Sequence, residues 1–123
     1  MCSSDLYDRG LDRKVLRIVT GEFGRTPRIS YANGTQTGVK QPGRDHWPSA
    51  MSVLVSGGGM RTGQVIGSTN RLGEYAKDRP VTFGEIFATL YANLGIDPST
   101  TTINDPSGRP QHVVEEPALK ELV

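Results

Sequence analysis

The chain has 123 residues, 35% of them hydrophobic, enough for one small domain of the usual size of about 100–150 residues, and its 15 Gly and 8 Pro commit nearly a fifth of it to turns and loops. Fourteen basic against thirteen acidic side chains leave a net charge of +1, which excludes the sustained basic stripe of a nucleic-acid binder. The single Cys2 excludes an internal disulfide and a cysteine zinc cage, and no apolar run approaches the roughly 20 residues that span a bilayer.

Met1 to Asp5 has the pattern neither of an element nor of a targeting segment, so it is expected to be a truncation or expression scar, and the chain is expected to be soluble. Leu6 to Asp12 reads as a helix end closed by Gly10 in the left-handed region. Val15 to Thr20 is a short β-branched run bounded by glycine, the mark of a buried strand, and a helix followed by such a strand is half of a crossover unit. Gly21 to Gly24 then falls at the strand's C-terminal end, where open α/β sheets place their ligand sites.

Residues 25 to 47 carry Pro27, Gly34, Gly38, Pro42 and Gly43 without sustained periodicity and are expected to form a long loop, a class that in compact domains is usually functional or disordered. Met51 to Ser56 is a second strand, ended by Gly57-Gly58-Gly59, and Gln64 to Gly67 is a candidate third. The clearest element is a helix over Thr82 to Leu94. Thr82 and Glu85 form a capping box, Phe83, Ile86, Phe87, Leu90, Tyr91 and Leu94 recur at helical spacing as a core stripe facing a sheet, and Gly95 closes it. The tail from Asp97 to Val123 is proline-punctuated, polar and irregular, with one short turn of helix at Ala118 to Leu122.

Chemistry concentrates in two segments, Gly21 to Pro27 and Gly43 to Pro48. Asp45 and His46 offer a hard oxygen and an imidazole nitrogen, a donor set that suits zinc, manganese or iron better than calcium, and Glu22 is a candidate third ligand if the two strands are neighbours. Adjacent side chains on extended backbone point to opposite faces, an objection that weakens in a loop. The alternative is a loop histidine bonded to backbone beside a turn aspartate. Arg25, Arg28 and Arg44 flank the acids; guanidinium forks match phosphate or sulfate oxygens, and the same residues also suit neutralisation of Glu22 and Asp45, or plain solvation. Gly57 to Gly59 lacks the lysine and hydroxyl residue of a phosphate-binding loop and reads as a tight turn, and His112 reads as an exposed tail histidine.

Gly21-Glu22-Phe23-Gly24-Arg25-Thr26-Pro27, Gly43-Arg44-Asp45-His46-Trp47-Pro48, Ser56-Gly57-Gly58-Gly59, Asp78-Arg79-Pro80-Val81-Thr82, Leu94-Gly95-Ile96-Asp97-Pro98 and Gly108-Arg109-Pro110, in this order, closely resemble the C-terminal part of the domain-of-unknown-function 1501 family, counted as sulfatase-like within the alkaline phosphatase superfamily. The resemblance covers nearly everything after Leu6. It implies an α/β fold, a C-terminal fragment of a three-layer αβα sandwich, and a parent that hydrolyses phosphate or sulfate esters of small molecules or polysaccharides with a divalent metal such as zinc, manganese or iron. It further implies export of the parent and dependence on the rest of the parent domain; the charge balance, separately, argues against nucleic acid as a partner. In that superfamily the strand matching Val15 to Thr20 ends in a metal-binding Asp-His pair; here those positions are Glu22 and Phe23, and His46 resembles a later metal histidine. The carried-over ligands are Glu22 and His46, with Asp45 beside them and Arg25 and Arg44 as anion binders. Nucleophile and first metal carboxylate are expected outside these residues. A different class is a binding or structural protein that keeps the fold without the metal centre, as Phe23 suggests.

Overall fold

A computed structural model describes residues 3–33 and 38–123. In chain order the elements are α1 (Ser3–Asp8), β1 (Leu16–Val19), β2 (Gly24–Arg25), β3 (Ser30–Asn33), β4 (Lys40–Gly43), β5 (His46–Trp47), β6 (Leu54–Gly57), α2 (Phe83–Asn93), β7 (Thr102–Asn104) and β8 (Pro110–His112). The strands pair two by two, as β1 with β6, β2 with β5, β3 with β4 and β7 with β8. The α/β composition is therefore present, but the continuous sheet of a three-layer sandwich is not found among the described residues. No helix is long and apolar enough to cross a membrane among them.

The chain divides into two compact units, one of residues 1–18, 55–66 and 81–123, the other of residues 19–54 and 67–80. In the first unit, α1 begins at Ser3, and Asp5 in its first turn accepts from Arg9 one turn on. Met1 and Cys2 lie outside the described residues. Gly10, at φ 64, ends the helix as expected: its N–H reaches the Tyr7 carbonyl and that of Leu11 reaches Leu6, which is buried.

β1 and β6 occupy the middles of the two apolar runs but are not buried as expected, with Val19 64% and Leu54 59% exposed, since each has one neighbour strand only. The glycine run after β6 is a docked turn. Gly57, Gly58 and Gly59 have φ of 82, 67 and 73, the Gly58 N–H donates to the carbonyls of Asp12 and Val15, and the Gly58 carbonyl accepts from Asn93 Nδ2 at 2.7 Å. This bond ties the end of α2 to the strand pair.

α2 is capped as its sequence dictates: Glu85 N donates to Thr82 Oγ1, and Thr82 N donates to Glu85 Oε2. Its apolar stripe is only partly core: Ile86, Leu90 and Tyr91 are half-buried, while Phe83, Phe87 and Leu94 are exposed. Phe83 and Phe87 stack on one another while each stays half exposed, and the buried positions are Ala88 and Thr89. The reason is polar: Thr89 Oγ1 accepts from Leu119 N at 2.8 Å and donates to the Glu85 carbonyl, which seats the C-terminal turn bearing buried Leu119 and Leu122 on that side of the helix. The turn expected near Ala118 to Leu122 runs from the Leu119 carbonyl to the N–H groups of Leu122 and Val123.

The tail is not wholly irregular, because β7 and β8 form an antiparallel hairpin exposed on every residue. Such a ribbon needs no apolar alternation, so hydrophobic periodicity misses it. Its turn is organised by Asp105, which accepts from the N–H and hydroxyl of Ser107 and from Arg109. Asp97 accepts from Ser99 in the same way. Bonding chiefly from the Ser107 and Ser99 side chains lowers the pKa of both carboxyls. A depressed folded pKa means stability present above the unfolded value of about 3.9 and lost as pH falls through the folded values. Melts should thus show a stability loss that continues below about pH 4, smaller in Asp105→Asn, whose amide cannot titrate; identical acid limbs for the two proteins would refute the role of the turn.

In the second unit, residues 25 to 47 are not a structureless loop. β2 pairs antiparallel with β5, and β3 with β4, with the tip between outside the described residues. Lys40, Gln41 and Pro42 hide a strand from composition, yet Pro42 is tolerated because β4 is an edge. Gln64 to Gly67 forms no strand, and Val65 is 92% exposed. Segment 67–80 is anchored instead by Trp47, whose Nε1 donates to the Glu74 carbonyl and whose ring lies 5.8 Å from that of Tyr75.

Candidate functional site

Every residue in the two chemistry-bearing segments falls in the second unit. Strand alternation fixes their directions. Phe23 and Arg25 share a face, and His46 stands opposite Arg25 in the β2–β5 register, so the three side chains form a stack. The Phe23 and His46 rings are 3.9 Å apart between centroids, and the Arg25 guanidinium carbon lies 5.5 Å from the Phe23 ring centre. Gly24 faces Trp47 across the ladder, and a Cβ there would collide with the Ala50 carbonyl, so the register of the stack depends on this glycine.

Asp45 is held in the same ladder. Its carbonyl accepts from Thr26 N, its N–H donates to Thr26 Oγ1, and its Oδ2 accepts from Ser30 Oγ at 3.2 Å. Asp45 thus lies just before β5 with its carboxylate bonded to Ser30, while the His46 ring packs against Phe23, so the two side chains have different partners. Glu22 is exposed between β1 and β2. Among the described residues no three His, Cys, Asp or Glu side chains come together as a group that could hold a metal ion. Glu22, His46 and Asp45 therefore do not make a closed zinc, manganese or iron ligand set by themselves.

The arginines are differently placed. Arg25 and Arg44 line one shallow, open depression of about 370 Å³ together with Ile29, Pro42 and Gly43, with no acidic residue in the lining. Arg25 Nη1 donates to the Arg44 carbonyl at 3.3 Å, which ties the Arg25 guanidinium to the backbone at residue 44. The Arg44 side chain has no hydrogen-bond or ion-pair partner among the described residues, so its fork is free to receive an anion. Arg28 is exposed and contributes only its carbonyl, to Thr26 Oγ1. His112 sits exposed in β8 of the other unit.

Sequence reasoning named both arginines from residue type alone, but could not see that Ile29 and Pro42 form the apolar walls between them. It also missed the ladder of Thr26 and Ser30 to Asp45. The signal for that ladder, a T-x-x-x-S spacing opposite an aspartate, is too common to single out.

A family model described as "Protein of unknown function (DUF1501)" matches residues 2–123. No curated protein and no solved structure gives a significant match.

Proposed function

The chain belongs to the DUF1501 family, and from that premise we propose that it is part of a sulfatase-like α/β hydrolase of phosphate or sulfate esters, in which it supplies the oxyanion-binding side of the site. One observation carries this reading: Arg25 and Arg44 line a single depression with no Asp or Glu in its lining, and the Arg25 guanidinium is tied to the backbone at residue 44. Two guanidinium forks match the geometry of a tetrahedral oxyanion, and their fixed charge favours the extra negative charge that develops on a transferring phosphoryl or sulfuryl group. The nucleophile, and any metal carboxylates that Glu22 and His46 would join, come in this reading from polypeptide outside these 123 residues. A metal bound there would polarise the ester oxygen.

The stacking of Phe23 on His46 favours a second reading, in which the imidazole is kept as part of an aromatic surface and the protein binds anionic esters without cleaving them. The two part on one experiment. A longer DUF1501 protein that contains this chain should hydrolyse p-nitrophenyl phosphate or sulfate and retain a transition metal after dialysis. Absence of both metal and hydrolysis, with inorganic phosphate or sulfate still bound, gives the binding protein. Absence of anion binding as well sinks both.

A further inference from the structure

We infer that Thr26 is a positioning residue of the arginine depression: its hydroxyl holds the peptide beside Arg44 across a bulge in the ribbon, and so makes the site selective for a multi-oxygen anion over a halide. This rests on the anion-binding reading above.

The two halves of the ribbon are out of step. The β2–β5 ladder pairs Arg25 with His46 and the β3–β4 ladder pairs Ser30 with Gly43, so four residues, Thr26 to Ile29, stand against two, Arg44 and Asp45. The surplus is a bulge, a device that bends a strand and re-aims the side chains beside it. Pro27 suits it, having no N–H for the ladder to satisfy. The depression lies at this bulge: of its lining, Ile29 and Arg44 belong to the mismatched residues, and Arg25 and Gly43 directly flank them.

Half-buried Thr26 spans the bulge. Its Oγ1 donates to the Arg28 carbonyl and accepts from Asp45 N, each at 3.0 Å, while its own N–H donates to the Asp45 carbonyl at 2.9 Å. The peptide between Arg44 and Asp45 is therefore held at both ends, its carbonyl by Arg25 Nη1 and its N–H by Thr26 Oγ1. Thr26 does not line the depression, so it acts on the site through the Arg44 carbonyl, the point where the Arg25 guanidinium is anchored. Placement matters here because the Asp45 carboxylate, next in the chain to Arg44, keeps its charge when the neutral Ser30 hydroxyl donates to it. Against that charge an anion gains most by engaging both guanidiniums at once. Sulfate and phosphate have oxygens to spread over two donor forks, whereas a halide is a single sphere without directional demand.

The test titrates sulfate and iodide into the full chain, followed by NMR, for the unmodified protein, for Thr26→Val, which keeps the β-branched shape without the hydroxyl, and for Thr26→Ser, which keeps the hydroxyl. Thr26→Val should lose about three- to tenfold in sulfate affinity, the factor that one neutral hydrogen bond carries, with iodide affinity unchanged. Thr26→Ser should recover most of the loss. Fluorescence of Trp47, the single tryptophan, reports whether the ribbon stays folded in each variant. In the unmodified chain the Asp45 amide should exchange more slowly than in an open chain, a measurement that stands even if Thr26→Val does not fold. Unchanged sulfate affinity in folded Thr26→Val, an equal loss for both ions, or an Asp45 amide that exchanges as in an open chain overturns the positioning role and leaves the anion site standing. Failure of the unmodified chain to bind sulfate overturns the anion reading and this inference together.

Discussion

Gly57→Ala is expected to destabilise the chain by about 2–5 kcal/mol, a large share of the roughly 5–15 kcal/mol that holds a domain together. The loss has two sources. Gly57 has φ 82, where an L side chain costs about 1–2 kcal/mol, and a Cβ at this position would run into the carbonyl oxygens of Val15 and Asp12. Those oxygens are backbone, so relief requires the turn to leave the segment on which it docks, an overpacking cost of about 1–3 kcal/mol. Gly59→Ala is the matched control. Its φ is 73, but its Cβ would meet only the Arg13 carbonyl at 3.6 Å, an ordinary contact, so it carries the conformational term alone. Urea unfolding of both variants should therefore place the Gly57→Ala midpoint well below that of Gly59→Ala at similar slope. Equal midpoints would mean that the glycine turn does not rest on residues 12–15.

Arg44→Ala is expected to weaken binding of inorganic phosphate or sulfate about ten- to hundredfold, with stability unchanged. A hydrogen bond to a charged group is worth about 1.5–3 kcal/mol, and each 1.4 kcal/mol is a factor of ten. Stability should hold because the guanidinium is exposed and unpaired among the described residues, so nothing in the fold rests on it. Arg44→Lys keeps the charge but loses the fork and should fall between. Arg25→Ala is the less clean variant, since Arg25 also donates to the Arg44 carbonyl and covers Phe23. A titration by NMR chemical shift at two salt concentrations reads all three, with affinities lower at high salt because exposed charges are screened. Undiminished affinity in Arg44→Ala would remove the observation on which the proposed function stands.

Much of the framework was legible because its signals are local. The T-x-x-E box sets Thr82 as the cap of α2, and Gly10 and Gly95, at φ 64 and 75, close the two helices, each decided within one turn of chain. The apolar runs around Leu16 to Val19 and Leu54 to Gly57 likewise declared their strands. The hairpins did not. Both faces of β3–β4 and β7–β8 meet solvent, so their sequences carry no alternation to read, and they are held by backbone pairing and by side chains such as Asp105.

The sequence by itself determined the family, the helix caps, the glycine turn and the residue types capable of holding an oxyanion, because each is written in neighbouring residues. Only the tertiary structure decided which of those residues meet. Thr26 pairing with Asp45, beside the β2–β5 ladder, gave order to an expected loop, and there Asp45 bonds Ser30 while His46 packs against Phe23. Thr89 seats the C-terminal turn on α2, and Phe83 and Phe87 are left half exposed. A hydrogen bond from Arg25 to the Arg44 carbonyl, across 19 residues, ties the first guanidinium to the backbone that carries the second, and both line one depression. Each outcome depends on a polar contact between distant segments, and no spacing within either segment encodes it.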